Sequence, residues 1–193
     1  MVILHVVIKT PIEDWVLNLD WYRNSLTILD IKEDENGYRL LIEIKGNLSD
    51  NFQNSFSRVG KNVYLGSLRV NSKICSILSK YIVSQGTVIS DSIAWTIILD
   101  GYSELKKLLK EFIDSKIEVK VMKVVKVKQG SIITARQEQI VKIALETGFY
   151  DFPRRITLRK LAEKLNVSPS TLSEILRRAE KNIIETYFRE RGL

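Results

Sequence analysis

Polar side chains recur through the run SPSTLSEILRR, which covers residues 168–178. Hydroxyl groups can hydrogen-bond a phosphate or the edge of a nucleic-acid base, and a guanidinium can donate two hydrogen bonds to guanine. At helical spacing the polar members of the run lie on the outer side, away from the leucines. These candidate binding residues are Ser168, Ser170, Thr171, Ser173, Glu174, Arg177 and Arg178.

Arg177 and Glu174 have the most specific chemistry in this set. Arg177 is the best candidate for a contact to guanine or to a nearby phosphate, and Glu174 can accept from a cytosine amino group. The hydroxyls lie at the start of the helix, where a helix N-terminus favours a phosphate. A second set flanks the preceding helix and would grip the phosphate backbone, which adds affinity without sequence preference: Arg154, Arg155, Arg159 and Lys160.

Capping signals predict two short helices joined by a tight turn. Thr157 is the candidate N-cap of the first helix. Asn166 follows that helix, and asparagine tolerates the left-handed conformation in which helices often end. Ser168 then caps a second helix with Pro169 at its first position, where a missing N–H costs nothing. The apolar positions of the two helices are Leu158, Leu161, Ala162, Leu165, Leu172, Ile175, Leu176 and Ala179.

This pattern predicts a helix-turn-helix motif. An earlier helix is predicted to begin at Thr134, in a capping box with Gln137, and to end near Gly148. The spacing Ala–x4–Val–x4–Leu–x2–Ile, from Ala162 to Ile175, matches the motif. The alternative interpretation is an ordinary helical hairpin with no role in DNA binding.

Charge and composition favour a polyanionic partner. The 193-residue chain has a net charge of +7, of which +4 falls on residues 131–193. A single cysteine excludes an intramolecular disulfide framework and fits a reducing interior. No apolar run reaches the roughly 18 residues that span a membrane. We therefore expect a cytoplasmic protein that binds double-stranded DNA and does not enter a membrane.

The first two-thirds of the chain alternate between strand and helix signals. Residues 62–128 have the order β-α-β-β-α-β, which predicts a ferredoxin-like or ACT-like module. Residues 1–61 give a similar order, with helices expected at residues 12–24 and 48–60, and a further helix is expected at 72–86. The predicted class is therefore α+β. It comprises a domain over 1–130, with two half-modules (1–61 and 62–130) that share a sheet, and an all-α helix-turn-helix domain over 131–193. Gly130-Ser131 is the expected joint.

No set of residues in the first domain predicts catalysis. His5 is the only histidine, so neither a His-rich metal site nor a second histidine for acid–base catalysis is expected. Cys75 is predicted to be a buried thiol, with redox sensing as the alternative. We expect no metal and no cofactor; a small-molecule effector on this domain is the remaining hypothesis.

The C-terminal third also resembles a known family. The resemblance rests on three motifs: T-x-R-Q at the start of the first helix, G-F-Y-D-F-P-R-R before the two-helix motif, and L-x-x-L-A-x-x-L-x-V-S-x-S-T-L-S-E-x-L-R-R-A-E through it. Together they resemble the archaeal bacterio-opsin activator (Bat-like) regulators over about residues 131–190. The resemblance implies a sequence-specific transcription regulator with an N-terminal sensing or assembly domain.

Three functions remain open at this point. The leading hypothesis is a DNA-binding transcription regulator that acts as a homodimer, with the N-terminal region as a sensor or dimerisation platform. An apolar stripe at Ile183, Ile184, Tyr187 and Phe188 would either form the dimer contact or pack against the first helix of its own domain. The second hypothesis is an adaptor that binds the transcription machinery without reading DNA. The third, an enzyme with a DNA-binding tail, is disfavoured by the missing catalytic residues.

Overall fold

The computed structural model describes residues 2–19, 21–48, 55–127 and 133–190. The chain divides into two compact units, Met1–Val127 and Lys128–Leu193. The predicted joint at Gly130-Ser131 lies outside the described residues.

The N-terminal unit is built on one antiparallel sheet. Within the described residues its strands are β1 (Ile3–Pro11), β2 (Ser25–Asp34), β3 (Gly37–Lys45), β4 (Phe56–Gly60), β5 (Val63–Val70), β6 (Ile82–Ile89), β7 (Ser92–Asp100) and β8 (Lys120–Val127). Their order across the sheet is β4-β5-β3-β2-β6-β7-β1-β8, and each neighbouring pair is antiparallel. A single sheet shared by both halves of the unit is therefore confirmed.

The ferredoxin-like or ACT-like arrangement is not confirmed. That arrangement needs β5 beside β7 and β8, whereas β5 pairs with β3 and β4. The place between β7 and β8 belongs to β1, the first strand of the chain. Each half of the sheet thus contains one strand from the other half of the sequence. Alternation of apolar and polar residues shows which face of a strand is buried, but it does not show which strand lies beside it. The sequence therefore predicted the order of the elements along the chain but not the pairing of the strands.

In the part of this unit that the structure describes, three α-helices accompany the sheet: α1 (Asp14–Leu17), α2 (Lys73–Leu78) and α3 (Tyr102–Asp114). The helix expected over residues 12–24 is only α1 followed by a short 3₁₀ turn, Trp21–Arg23. The helix expected over residues 72–86 ends at Leu78, because the β-branched residues after it join β6. Of the helix expected over 48–60, residues 49–54 lie outside the described residues and Phe56–Gly60 is strand β4.

The helices pack on one face of the sheet around a single apolar core. Buried residues of all three helices, including Val16, Cys75 and Phe112, belong to the same cluster as the inward-facing strand residues. Trp95 is completely buried, and its indole N–H donates to the Thr10 hydroxyl at 2.8 Å. Gly86 lies against the Trp95 ring, where a Cβ atom would come within 2.4 Å of a ring carbon. The core therefore depends on a side chain being absent at Gly86.

The C-terminal unit is helical in its described part. Its helices are α4 (Ala135–Glu146), α5 (Leu158–Leu165) and α6 (Pro169–Glu190). The core of this unit is formed by buried apolar residues of these helices and of the loop between α4 and α5: Ile140, Ile143, Ala144, Phe149, Ile156, Leu161, Ala162, Leu165, Leu172, Leu176 and Ala179. Among the described helices of either unit, none is both long and apolar enough to cross a membrane.

Cys75 lies in α2 and is completely buried. Burial raises the pKa of its thiol to about 12, and the Ser72 side chain opposes this rise only in part. The buried-thiol interpretation fits this environment, because a redox-sensing cysteine needs an accessible thiolate.

We predict that Cys75 is unreactive in the folded chain. Ellman's reagent at pH 8 should release almost no chromophore, because a thiol with a pKa about four units higher is ionised in about one molecule in ten thousand. Unfolding in guanidinium should then release one equivalent, since the chain has a single cysteine. Rapid labelling before denaturation would show that α2 opens and would revive the redox hypothesis.

Candidate nucleic-acid interface

Asn166 forms the turn between α5 and α6. It adopts the left-handed conformation, with φ 52° and ψ 49°. The N–H of Asn166 donates to the Glu163 carbonyl at 3.1 Å, and that of Val167 to the Ala162 carbonyl at 3.0 Å. These bonds satisfy carbonyl groups that the end of α5 would otherwise leave unpaired. The predicted left-handed turn is confirmed.

Ser168 starts α6. Its hydroxyl oxygen accepts from the Thr171 N–H at 3.0 Å, as an N-cap does. The Ser170 and Thr171 hydroxyl oxygens lie 2.8 and 2.7 Å from the Ser168 hydroxyl oxygen. Three exposed hydroxyls are therefore held together at the N-terminus of the helix, where the backbone dipole favours an anion.

The other two helix starts also follow the predicted capping. Thr134 and Gln137 form a capping box at the start of α4, and the Thr157 hydroxyl accepts from the Lys160 N–H at the start of α5. Gly148 takes a positive φ of 77° just after α4. These local signals set where the helices begin and end, so the apolar faces meet in one core.

The core pairs α5 and α6 through small and branched side chains. Ala162, Leu165 and Leu172 are completely buried, and Leu176 nearly so. Val167 and Ile175 are only partly buried, although the spacing predicted both as core. The inward face of α6 is thus formed mainly by Leu172, Leu176 and Ala179.

The eleven candidate binding residues are all exposed. Seven lie on α6 or at its N-cap (Ser168, Ser170, Thr171, Ser173, Glu174, Arg177 and Arg178), and Arg159 and Lys160 lie in α5. Arg154 and Arg155 lie in the loop before α5. The structure therefore places the α6 residues on one helix, directly after the turn, as the sequence predicted.

Internal partners divide these residues into two groups. Glu174 forms an ion pair with Arg178, and Arg155 forms one with Asp151. The Arg154 guanidinium stacks over the Phe149 ring, 4.6 Å from its centre. By contrast, the side chains of Ser173, Arg177, Arg159 and Lys160 make no hydrogen bond or ion pair to another described residue. The charge of Glu174 is offset within the helix, which leaves Arg177 as an unpaired cation beside it.

The loop between α4 and α5 is fastened to α6, a contact that sequence reasoning missed. The Tyr150 hydroxyl donates to a Glu180 carboxylate oxygen at 2.6 Å. Burial and this hydrogen bond, in that order, raise the pKa of the tyrosine above its ordinary value. The pair is thirty positions apart, and no local pattern indicates such a contact.

The apolar stripe beyond the motif is exposed. Relative exposures are 39% for Ile183, 54% for Ile184, 51% for Tyr187 and 46% for Phe188. About half of each side chain is therefore covered, and both interpretations of the stripe, a dimer contact and packing against the first helix of its own domain, stay predictions.

We predict opposite effects for two substitutions at the turn. Asn166→Gly should leave stability unchanged or raise it slightly, whereas Asn166→Val should lower it by about 1–2 kcal/mol, because a β-branched residue resists a positive φ. Ellipticity at 222 nm during urea titration would follow the C-terminal helices. Tryptophan fluorescence is an internal control, because all three tryptophans, Trp15, Trp21 and Trp95, lie in the N-terminal unit. Equal effects of both substitutions on ellipticity would contradict the assigned turn.

Comparison with known proteins agrees with this geometry. Residues 133–185 match a family model described as an HTH DNA binding domain. A Haloferax volcanii protein named as a transcriptional regulator is 43% identical over 60 residues, which are 31% of this chain and 10% of that protein. A second protein of the same organism, named as a dimethyl sulfoxide reductase transcriptional activator, is 40% identical over 58 residues, which are 30% of this chain and 27% of that protein.

The family model matches residues within the C-terminal unit. The alignments span about a tenth and about a quarter of the two relatives' own lengths. No solved structure is significantly similar to the chain. The family match and the two-helix geometry agree on one segment, and the resemblance stated from the sequence is confirmed there: residues 133–185 form a helix-turn-helix DNA-binding domain of the Bat type.

Proposed function

We propose that the chain is a sequence-specific DNA-binding transcription regulator with a regulatory N-terminal domain. The observation that carries this proposal is the outer face of α6, where Ser173 and Arg177 lie one turn apart, exposed and without an internal partner. On a recognition helix such residues are free to contact base edges. Both relatives carry names of transcriptional regulators, which supports the same function.

The interface divides into residues that read sequence and residues that add affinity. Ser173 and Arg177 would lie in the major groove, with Glu174 and Arg178 beside them as an ion pair that can open on contact. Ser168, Ser170 and Thr171 would hold a phosphate at the helix N-terminus. Arg159, Lys160, Arg154 and Arg155 would lie along the backbone and make binding depend on salt.

An adaptor that binds transcription machinery is the alternative function. It requires a helix-turn-helix surface that contacts protein instead of DNA. The unpaired Arg177 and the hydroxyl cluster at Ser168 favour DNA, because both have the chemistry that binds phosphates and bases. A regulator of this kind works in the cytoplasm, where an archaeal chromosome is found.

The N-terminal unit is proposed to regulate this DNA binding, as a dimerisation platform or as the site of a small-molecule effector. Its helices pack on one face of the sheet, and the other face carries polar residues together with buried apolar ones such as Leu41 and Leu65. Glu43 on that face is 2% exposed, and one of its carboxylate oxygens has no hydrogen-bond partner among the described residues. The other oxygen lies 2.9 Å from the Lys45 ammonium. The unpartnered oxygen is buried, so a donor group of a small molecule would reach it only after the side chains over it move.

Arg177→Ala should lower sequence preference without removing non-specific binding. We expect the ratio of affinities for a selected site and a scrambled duplex to fall about tenfold or more, because a good arginine–guanine contact contributes about 1–3 kcal/mol of discrimination. Fluorescence anisotropy with the full chain, over a series of salt concentrations, would measure both affinities.

The matched control is the double variant Arg159→Ala, Lys160→Ala. It should weaken binding to both duplexes alike and lower the slope of log affinity against log salt by about two, since each phosphate contact contributes about 0.9. If neither variant changes DNA binding while the fold is intact, the chain does not use this surface for DNA. If the wild-type chain has no sequence preference, the adaptor function gains support.

We also propose that the chain is a homodimer that contacts its partner through the exposed stripe on α6. Helix-turn-helix proteins commonly bind two half-sites as a symmetric pair, which needs a self-complementary contact. Ile184 and Phe188 lie one turn apart in this stripe, and both are about half exposed. An apolar stripe of four residues next to the motif supports a contact of this kind.

Ile184→Glu with Phe188→Glu should convert a dimer into a monomer. At a symmetric contact, each introduced carboxylate would be buried beside the same carboxylate of the partner copy. The free energy of association would then rise by several kcal/mol. Sedimentation velocity would report the mass, with Glu185→Gln as a control on the same helix. If the variant is still a dimer, the dimer contact does not lie on the α6 stripe. A monomeric wild-type chain at micromolar concentration would contradict the proposal.

A further inference from the structure

Phe152 is the most exposed large apolar side chain among the described residues, with a relative exposure of 103%. It lies in the loop between α4 and α5. The ends of this loop are fixed, because Phe149 and Ile156 are buried and the Arg155 N–H donates to the Gly148 carbonyl at 3.0 Å. The phenyl ring is therefore held in solvent by an anchored loop.

The loop adjoins the proposed DNA surface on two sides. Its end leads directly into Thr157, the N-cap of α5, and the first helix of a helix-turn-helix motif crosses the DNA backbone. Its other side is fastened to α6 by the Tyr150–Glu180 hydrogen bond. Glu180 lies three residues after Arg177, about one helical turn further along. Phe152 thus belongs to an element that flanks the recognition helix.

The charge around Phe152 is complementary to DNA. Residues 154–160 include Arg154, Arg155, Arg159 and Lys160 and no acidic residue. The nearest acid in sequence, Asp151, is paired with Arg155. An apolar side chain among cations suits a duplex, in which phosphates bind the cations while the ring packs against sugars or between bases. Minor-groove proteins use phenylalanine as a wedge in this way.

We propose that residues 149–155 form a second DNA-contacting element, in which Phe152 packs into the minor groove beside the segment read by α6. The inference rests on the proposed function and extends it to the flanking base steps. The loop would then add affinity that does not depend on salt, because the contact of the ring with sugars and bases carries no charge.

A crosslinking experiment separates this inference from the proposed function. The full chain would carry p-benzoylphenylalanine in place of Phe152, of Ser173 or of Ile113. Ile113 is the matched control, because it is 69% exposed and belongs to the N-terminal unit. The probe would be a duplex selected by the wild-type chain from a random pool. We expect crosslinks to DNA from positions 152 and 173 and none from position 113.

Each other result has one meaning. Crosslinking from position 173 without position 152 would overturn the role of the loop and leave the regulator intact. The absence of crosslinks from both positions would overturn the proposed function as well. Capture of a protein by position 152 in extract, with no capture of the duplex, would make the loop a protein-docking element and refute the proposal.

Phe152→Ala gives an independent measurement. We expect binding to the selected duplex to weaken about tenfold, near the lower end for the loss of an aromatic contact to a base. The salt slope and the thermal midpoint should not change, because the side chain is uncharged and fully exposed. Phe152→Trp should restore most of the affinity. In a duplex carrying 2-aminopurine at flanking steps, the wild-type chain should raise the fluorescence by unstacking and Phe152→Ala should not. Full affinity of Phe152→Ala would overturn the proposal.

Discussion

The left-handed turn at Asn166 is the constraint on which the DNA-binding surface depends. One residue with φ 52° ends α5, and two positions later Ser168 caps α6. The angle between the helices follows from that short turn and from the close approach of Ala162. Because α6 is held there, its polar face points outward as a unit. Ser173 and Arg177 then stand on adjacent turns, with no internal contact to break before they bind.

The N-terminal unit depends on contacts between residues that are far apart in the sequence. In its sheet, β1 lies between β7 and β8. A strand from the start of the sequence therefore completes the half of the sheet that contains the later strands. In the same way, β5 lies between β3 and β4. Neither half can therefore complete its sheet alone. Such pairing joins residues that are far apart in the sequence, and contacts of this kind form more slowly than local ones during folding.

The sequence predicted the C-terminal unit better than the N-terminal unit, because local contacts determine the first and long-range strand pairing determines the second. In the C-terminal unit the decisive signals are local: the Thr134 capping box, the Thr157 and Ser168 caps and the left-handed Asn166 all appear within a few residues of the atoms that they contact. The exposed face of α6 was therefore predictable, whereas Ile175 is less buried than its spacing predicted. The placement of β1 was not predictable, since alternation of apolar residues is compatible with many neighbours. The Tyr150–Glu180 contact was not predictable either, because it joins residues thirty positions apart.

Genome-wide capture of DNA fragments by the purified full-length chain, at two salt concentrations, tests the central claim most directly. Recognition by α6 predicts a recurrent short site that persists at the higher salt, while the background bound by Arg159 and Lys160 declines. A two-fold symmetric site would in addition match a dimer. Uniform capture that vanishes with salt, with no recurrent site, would contradict sequence reading by this helix.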